Sequence, residues 1–241
     1  MALPQLATAK YELTLPSTGE QVEYRPFLVK EEKVLMIAQS TGEQKDILRA
    51  VETIVETCTF GKLNAKNLPM FDLEYVFIQL RAKSVGANTE VQVTCPDDRT
   101  TKVPVTINLE EVQCIKEVGH DNNIKLTDNI GVVMDYPRTS SIENFVDNDA
   151  ETAFNIIKAC VRQIYDTENV YDKQDMDEKE LDEFLESMSH EQFEKIQDFF
   201  NTMPKVKHTV KVKNPNTNVE SDVVLIQLTR SYGVTACYIF D

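Results

Sequence analysis

The chain has no tryptophan and only three histidines, at His120, His190 and His208. None of them lies in a His-Glu-x-x-His motif, and no Gly-x-Ser-x-Gly motif is present, so common signatures of zinc proteases and serine hydrolases are missing. Glycosidases use a pair of carboxylates, and tryptophan often stacks on the sugar in their clefts. This chain has no tryptophan, and no pattern distinguishes a catalytic pair among its 40 Asp and Glu residues. The sequence also lacks a phosphate-binding glycine loop. We therefore predict that the protein is not an enzyme and holds neither a cofactor nor a metal.

Long apolar runs are also missing. No run reaches the roughly 18 residues of a membrane span, and the amino terminus lacks the charged-then-apolar pattern of a signal peptide. The five cysteines are an odd number, widely spaced, with no Cys-x-x-Cys pair, which favours reduced thiols over a disulfide framework. We expect a soluble protein that is intracellular when made and does not bind a membrane.

Charge of one sign dominates the chain, whose formal net charge is −15. Residues 141–200 contain 17 acidic and 5 basic side chains, a balance of −12. Such a surface repels phosphate, so we predict no nucleic-acid partner. The carboxylates do not form an EF-hand, because Met176 or Lys179 falls on the fifth ligand position. They are typical of a solvated helical surface.

Hydrophobic periodicity predicts an α+β fold in four segments: 1–90, 91–140, 141–203 and 204–241. The first segment begins with a hairpin over residues 11–15 and 21–24, with turn residues between them. Three amphipathic helices follow. Their apolar sides are predicted at Val34, Leu35, Ile37 and Ala38, at Ile47, Leu48, Val51, Ile54, Val55 and Cys58, and at Leu73, Val76, Phe77 and Leu80.

Two later segments alternate with a period of two and predict β-hairpins. One has Val91 and Val93 before a Cys95-Pro96 turn, and the other has Val210 and Val212 before an Asn214-Pro215 turn. The two turns resemble zinc-ribbon knuckles. The positions that would hold ligands are Cys95, Asp98, Asn214 and Thr217, so we expect zinc-ribbon-like hairpins that lack the metal ligands.

In the centre of the chain, the sequence pattern predicts two short strands and three helices. Apolar pieces at residues 124–126 and 130–134 indicate the strands. Phe154, Ile157, Val161 and Ile164 predict one helix over residues 150–165. Two further helices form an acidic helical segment, and Ser189 with Gln192 predicts a capping box at the start of the second.

Two runs in the first third of the chain carry a family resemblance. The first is Arg25-Pro26-Phe27-x-Val29-Lys30-Glu31-Glu32-Lys33-x-Leu35, and the second is Phe71-Asp72-Leu73-Glu74-Tyr75 with Leu80-Arg81-Ala82-Lys83-Ser84-Val85-Gly86. Both are similar to segments of the baseplate hub and hub-assembly proteins of T-even-like contractile-tailed phages. The similarity is strongest over residues 11–86 and weaker over 199–213.

The resemblance implies a protein that helps to build the central hub and spike at the tail tip. Its implied partners are other hub, spike and tail proteins, with a possible oligomer inside the tail. Its implied location is the virion baseplate, and the host cytoplasm during assembly. We expect eight residues of the two runs to fix the helical module and present a docking face: Arg25, Phe27, Lys30, Glu31, Lys33, Asp72, Tyr75 and Arg81.

Three binding roles stay open at this point. The protein is either a permanent virion subunit or a transient hub-assembly chaperone absent from the mature virion; a degenerate zinc-ribbon binding module is a weaker alternative. The carboxyl-terminal Tyr238-Ile239-Phe240 either anchors in a neighbour or packs on its own chain.

Overall fold

The computed structural model describes residues 6–142 and 150–225 and confirms the α+β class. The helices of the described residues are α1 (Val29–Thr41), α2 (Gln44–Cys58), α3 (Met70–Ser84), α4 (Thr139–Ile142), α5 (Ala150–Cys160), α6 (Glu178–Glu186) and α7 (His190–Thr202). The strands are β1 (Tyr11–Thr14), β2 (Gln21–Tyr24), β3 (Asn88–Thr94), β4 (Lys102–Asn108), β5 (Gln113–Ile115), β6 (Asn123–Lys125), β7 (Gly131–Met134), β8 (Val161–Tyr165), β9 (Val170–Asp172), β10 (Lys205–Lys213) and β11 (Glu220–Leu225). Residues 238–240, for which the sequence left an anchor in a neighbour and a self-packed tail open, lie outside the described residues.

The chain folds as two compact units. Among the described residues, the first unit includes 6–115 and 205–225, and the second includes 116–142 and 150–204. The four segments predicted from the sequence are continuous stretches of chain, and their division into domains stays a prediction. None of the helices in the described ranges is long and apolar enough to cross a membrane.

Helix α3 is the centre of the first unit. Eleven of its fifteen residues are buried, so it packs on more than one side. Leu73 and Phe77 belong to a cluster with Ile54 of α2 and residues of the first hairpin and α1. Ile78 and Ala82 belong to a second cluster with residues of β3, β4 and β10. One helix therefore joins the amino-terminal elements to the β-hairpins.

The predicted amino-terminal elements are present. Strands β1 and β2 pair antiparallel with Leu13 opposite Val22. Gly42 caps the carboxyl end of α1, and its positive φ of 70° is the left-handed conformation that glycine favours. One prediction was wrong. Val34 and Ile37 were expected on the apolar side of α1, yet they are 40% and 56% exposed, because α1 buries the stripe that contains Leu35 and Ala38 instead.

Both later hairpins also form as predicted. Val91 of β3 lies opposite Val105 of β4, and Val210 of β10 lies opposite Val223 of β11. Strand β10 also pairs with β5, which makes a three-stranded sheet. Its valines point into the core and Lys211 and Lys213 are exposed, in keeping with strand alternation.

The second unit contains a four-stranded antiparallel sheet in the order β6, β7, β8, β9. Its strand β8 corrects the sequence prediction of one helix over residues 150–165. Helix α5 ends at Cys160, and Val161 begins a strand in which Ile164 lies opposite Val132 of β7. The residues 161–165 include Val, Ile and Tyr, which favour a strand when both neighbouring strands can pair with them. The predicted capping box is present, since Ser189 and Gln192 exchange side-chain to backbone hydrogen bonds of 2.8 and 3.3 Å.

A buried histidine connects three segments of the second unit. His120 is 7% exposed, and its Nδ1 lies 2.9 Å from the Thr202 hydroxyl of α7, while its Nε2 lies 3.1 Å from the Tyr136 hydroxyl. The His120 ring also packs against the Phe199 ring, with centroids 5.0 Å apart and planes tilted by 35°. Burial, and to a lesser extent Lys116, lowers the pKa of His120, whereas Asp121 opposes that shift. The neutral ring is therefore favoured in the folded protein.

The lowered pKa of His120 predicts a loss of stability in acid. The unfolded chain binds a proton near pH 6.5 and the folded chain resists it, so this contribution to the unfolding free energy is complete above about pH 6.5 and decreases below it. An NMR titration of the imidazole resonances should place His120 below about 6.5. His120→Gln should reduce the pH dependence of urea unfolding between pH 7.5 and 5.5, whereas the exposed His190→Gln should retain it. Equal slopes in all three proteins would contradict this assignment.

Candidate protein-docking surface

A buried ion pair fixes the start of α1. Arg25 Nη2 lies 2.9 Å from Glu31 Oε1, and these two side chains are only 10% and 6% exposed. The second Glu31 oxygen accepts the Leu28 backbone N–H at 2.8 Å, where the amino terminus of the helix leaves donors without partners. The Arg25 backbone N–H donates to the Cys58 carbonyl at the end of α2. The connection before α1 is therefore tied both to α1 and to α2.

The same connection is tied to α3. The Phe27 backbone N–H donates to Ser84 Oγ at 2.9 Å, and the Phe27 ring is in the core. Burial by itself would raise the pKa of the Glu31 carboxyl, but the hydrogen bonds from Arg25 and Leu28 outweigh it and hold the pKa below its usual range. Glu31 is thus an anion whose charge is compensated inside the protein.

Removal of Arg25 should be strongly destabilising, because Glu31 would be left as a buried charge without its main partner. For Arg25→Met we expect a loss of about 3 kcal/mol in the free energy of unfolding, measured by urea denaturation. The double variant Arg25→Met with Glu31→Leu should recover part of that loss. Lys33→Met, on the exposed side of the same helix, should change stability by less than about 0.5 kcal/mol. A small effect of Arg25→Met would show that the pair does not hold α1 in place.

The other predicted docking residues on α3 lie partly or wholly inside the unit. Asp72 is completely buried and accepts the Ser17 backbone N–H at 3.0 Å and the Ser17 hydroxyl. Burial raises its pKa, and the two bonds from Ser17 oppose that shift. Tyr75 and Arg81 are half-buried, and Arg81 Nη2 donates to Thr89 Oγ1 of β3 at 3.4 Å. These residues join α3 to its neighbours, and a direct docking role for them stays a prediction.

Lys30 and Lys33 are the two predicted docking residues that are well exposed, and they lie on α1. Around them are exposed apolar side chains, including Val29 at 79%, Met36 at 64% and Ile37 at 56% exposure. We name the following set the outer face of α1: Leu28, Val29, Lys30, Lys33, Val34, Met36 and Ile37. Large apolar side chains clustered on a rigid surface helix are typical of a protein-binding site.

A shallow groove between α1 and α2 continues the outer face. It is lined by Val34, Ile37, Ala38 and Thr41 of α1 and by Asp46, Arg49, Ala50 and Thr53 of α2. Sequence reasoning missed this surface, because it assigned Val34 and Ile37 to the core. The signal was present in the run of five apolar residues at 34–38, since a helix that buries one stripe must expose part of such a run.

The turns that resemble zinc knuckles contact each other through hydrogen bonds. Asn214 Nδ2 lies 3.0 Å from both carboxylate oxygens of Asp97 and 2.9 Å from Asp98 Oδ2, and the Thr217 hydroxyl donates to Asp97. We name Asp97, Asp98, Asn214 and Thr217 the turn cluster. Cys95 is buried beside it, and burial raises the pKa of its thiol. Within residues 6–142 and 150–225, no three His, Cys, Asp or Glu side chains are placed to hold a metal.

The hydrogen bonds from Asn214 lower the pKa of Asp97, and those from Thr101 and Asn214 lower the pKa of Asp98. Asn214→Asp would replace the donor with a third carboxylate, so its Tm at pH 7 should decrease by at least about 2–4 °C. Asn218→Asp adds the same charge at an exposed turn position and should have a smaller effect. The difference should shrink near pH 4, because the two neighbouring carboxylates raise the pKa of the introduced side chain, which then becomes neutral. A difference that does not depend on pH would contradict the electrostatic origin.

The outer face of α1 has the exposed apolar side chains that are typical of protein-binding surfaces. Comparisons with known proteins identify the class of protein that carries it. A family model described as T4 bacteriophage base plate protein matches residues 8–230, so the chain belongs to this family of phage baseplate proteins. The resemblance found in the two sequence runs is thereby confirmed, and membership gives the chain a role among baseplate proteins of the virion tail.

A curated relative is the baseplate hub assembly protein gp26 of Enterobacteria phage T4. It is 26% identical to this chain over 207 residues, which cover 86% of this chain and 89% of the relative. No solved structure matches the chain.

Proposed function

We propose that this chain helps to build the central hub and spike of the tail baseplate through protein–protein contacts, and that the outer face of α1 is a docking surface for this work. The observation that carries the proposal is the exposure of Val29, Met36 and Ile37 on a helix in a baseplate protein. The buried Arg25–Glu31 pair fixes the beginning of that helix. A docking helix held in this way loses little conformational entropy on binding, which favours affinity.

The proposed partners are other hub, spike and tail proteins, met in the host cytoplasm during assembly, with an oligomer inside the tail as a further expectation. We propose that neither nucleic acid nor a membrane is a partner, since the net charge of −15 opposes contact with phosphate groups. The proposal involves no catalysis. The docking residues Arg25, Phe27, Glu31, Asp72, Tyr75 and Arg81 would act by holding the module that presents Lys30 and Lys33.

A second candidate is a transient assembly factor that leaves before the particle is complete. Two observations favour it: the relative from phage T4 is named as a hub assembly protein, and the chain is strongly acidic, as suits a transient contact. Quantitative mass spectrometry of purified virions separates the two candidates. A constant copy number per particle supports the permanent subunit, and absence from particles whose assembly requires the protein supports the transient factor.

The zinc-ribbon alternative has its own test. Elemental analysis of the purified protein should find no stoichiometric zinc, since Asn214 and Thr217 stand where two ligands would be needed. One equivalent of bound zinc would revive that alternative.

The docking role of the outer face predicts an assembly defect without a folding defect. Met36→Asp with Ile37→Asp changes exposed side chains, so the far-UV spectrum should be unchanged and the Tm should move by only a few degrees. If these side chains are central to an interface, partner affinity should fall by about 30-fold or more, corresponding to the 2 kcal/mol or more of an interface hot spot. The measurement is the yield of complete baseplates when the variant complements a phage that lacks the protein.

The matched control for that experiment is Val118→Asp. Val118 is a fully exposed apolar residue of the second unit, away from the outer face of α1 in sequence. It should leave baseplate yield unchanged. Normal yield with the α1 variant, or an equal loss with both variants, would remove the outer face from the proposal.

A further inference from the structure

We infer that the groove between α1 and α2 binds an acidic amphipathic helix of a partner protein. The inference rests on the proposed function, in which the outer face of α1 docks a partner, and it specifies the chemistry of that partner. Its basis is the shape of the groove and the charge along its rim.

The floor of the groove suits the apolar stripe of a helix. Ala38 and Ala50 line it from the two helices, and such small side chains allow a partner backbone to come close. The hydroxyl groups of Thr41 and Thr53 donate to carbonyls of their own helices, at 2.8 and 2.7 Å. Both hydroxyl protons therefore already have acceptors. Apolar side chains of a partner can cover these hydroxyl groups without breaking a hydrogen bond.

The rim of the groove is basic. Lys30, Lys33 and Ile37 are spaced i, i+3 and i+7, so the two lysines share a side of α1 with an apolar lining residue. Glu32 is two positions from Lys30, about 200° around the helix, and so lies on another side. On α2 the lining contains Arg49 and one acid, Asp46. Lys30 Nζ also lies 3.4 Å from Glu31 Oε1, a carboxylate that Arg25 already binds. With that pair counted, Arg25, Lys30, Lys33 and Arg49 stand against Glu31 and Asp46, and this positive balance contrasts with the chain's net charge of −15.

Charge complementarity therefore selects a partner helix that carries Asp or Glu beside its apolar stripe. A second copy of this chain is a poorer occupant for a two-fold contact centred on the outer face. In such a contact the same patch meets itself, and Lys30 and Lys33 would approach their equivalents on the other copy. Like charges brought together in this way oppose association.

The test uses two synthetic helical peptides and the full-length protein. Both peptides have leucine at i, i+3, i+4 and i+7; one has glutamate at the flanking positions and the other has lysine. Fluorescence anisotropy should show that the glutamate peptide binds at least 10-fold more tightly than the lysine peptide. Lys30→Glu with Lys33→Glu should reverse that preference, and Ile37→Asp should abolish binding of both peptides.

The control is Lys102→Glu with Lys211→Glu, which makes the same change in net charge on exposed strand positions. It should keep the preference for the glutamate peptide. Equal affinity for the two peptides, no binding of either, or an equal effect of the two charge variants would overturn the inference. A concentration-dependent dimer in sedimentation velocity that Ile37→Asp abolishes would also overturn it, in favour of a second copy.

Failure of this inference is distinguishable from failure of the proposed function. If the α1 variant with Asp at positions 36 and 37 blocks baseplate assembly while the peptides do not discriminate, the outer face docks a partner of other chemistry. If the peptides discriminate but that variant assembles normally, the groove binds an acidic helix outside hub assembly.

Discussion

The burial of α3 on more than one side is the constraint on which the first unit depends. A helix that buries one stripe can be held by a single layer, whereas α3 buries eleven of fifteen residues and needs neighbours on several sides. The first hairpin, α1 and α2 cover one side around Phe77, and the β-hairpins cover another around Ile78. This requirement explains why residues 205–225 join a unit that otherwise ends at Ile115. The segment supplies Val206 and Val210 to the second cluster.

With the core of the unit anchored in this way, α1 is left with a free apolar side. It buries Leu35 and Ala38, and the Arg25–Glu31 pair fixes its beginning, so the helix does not need Met36 or Ile37 for its own packing. An ion pair inside a protein contributes little net stability but fixes geometry, because each charge requires the other in one position. In this baseplate protein, the exposed apolar face of α1 is therefore the surface that we propose for docking.

Much of the fold could be predicted from local pattern. The first hairpin, the three helices that follow it, both later hairpins and the Ser189 capping box were all predictable, because each depends on contacts close in sequence or on strict periodicity. The division of residues 150–165 into helix α5 and strand β8 could not be predicted in this way. Val161 and Ile164 fit a helical stripe, and only pairing of β8 with β7 and β9 makes the strand more favourable. The buried side of α1 was predicted wrongly for the same kind of reason. Val34 and Leu35 are equally apolar, and which of them is buried depends on where α2 lies.

The two turns that resemble zinc knuckles also separate what local sequence predicts from what depends on tertiary contacts. By itself the sequence determined that Asn214 and Thr217 replace two possible ligands, and it determined the family through the Arg25 and Phe71 runs, because side-chain chemistry and motif identity are local properties. Only the tertiary structure decided that the two turns meet, that Asn214 bridges Asp97 and Asp98, and that Met36 and Ile37 remain on the surface. These outcomes depend on residues far apart in the chain, whose contacts are set by competition for a shared core rather than by any local preference.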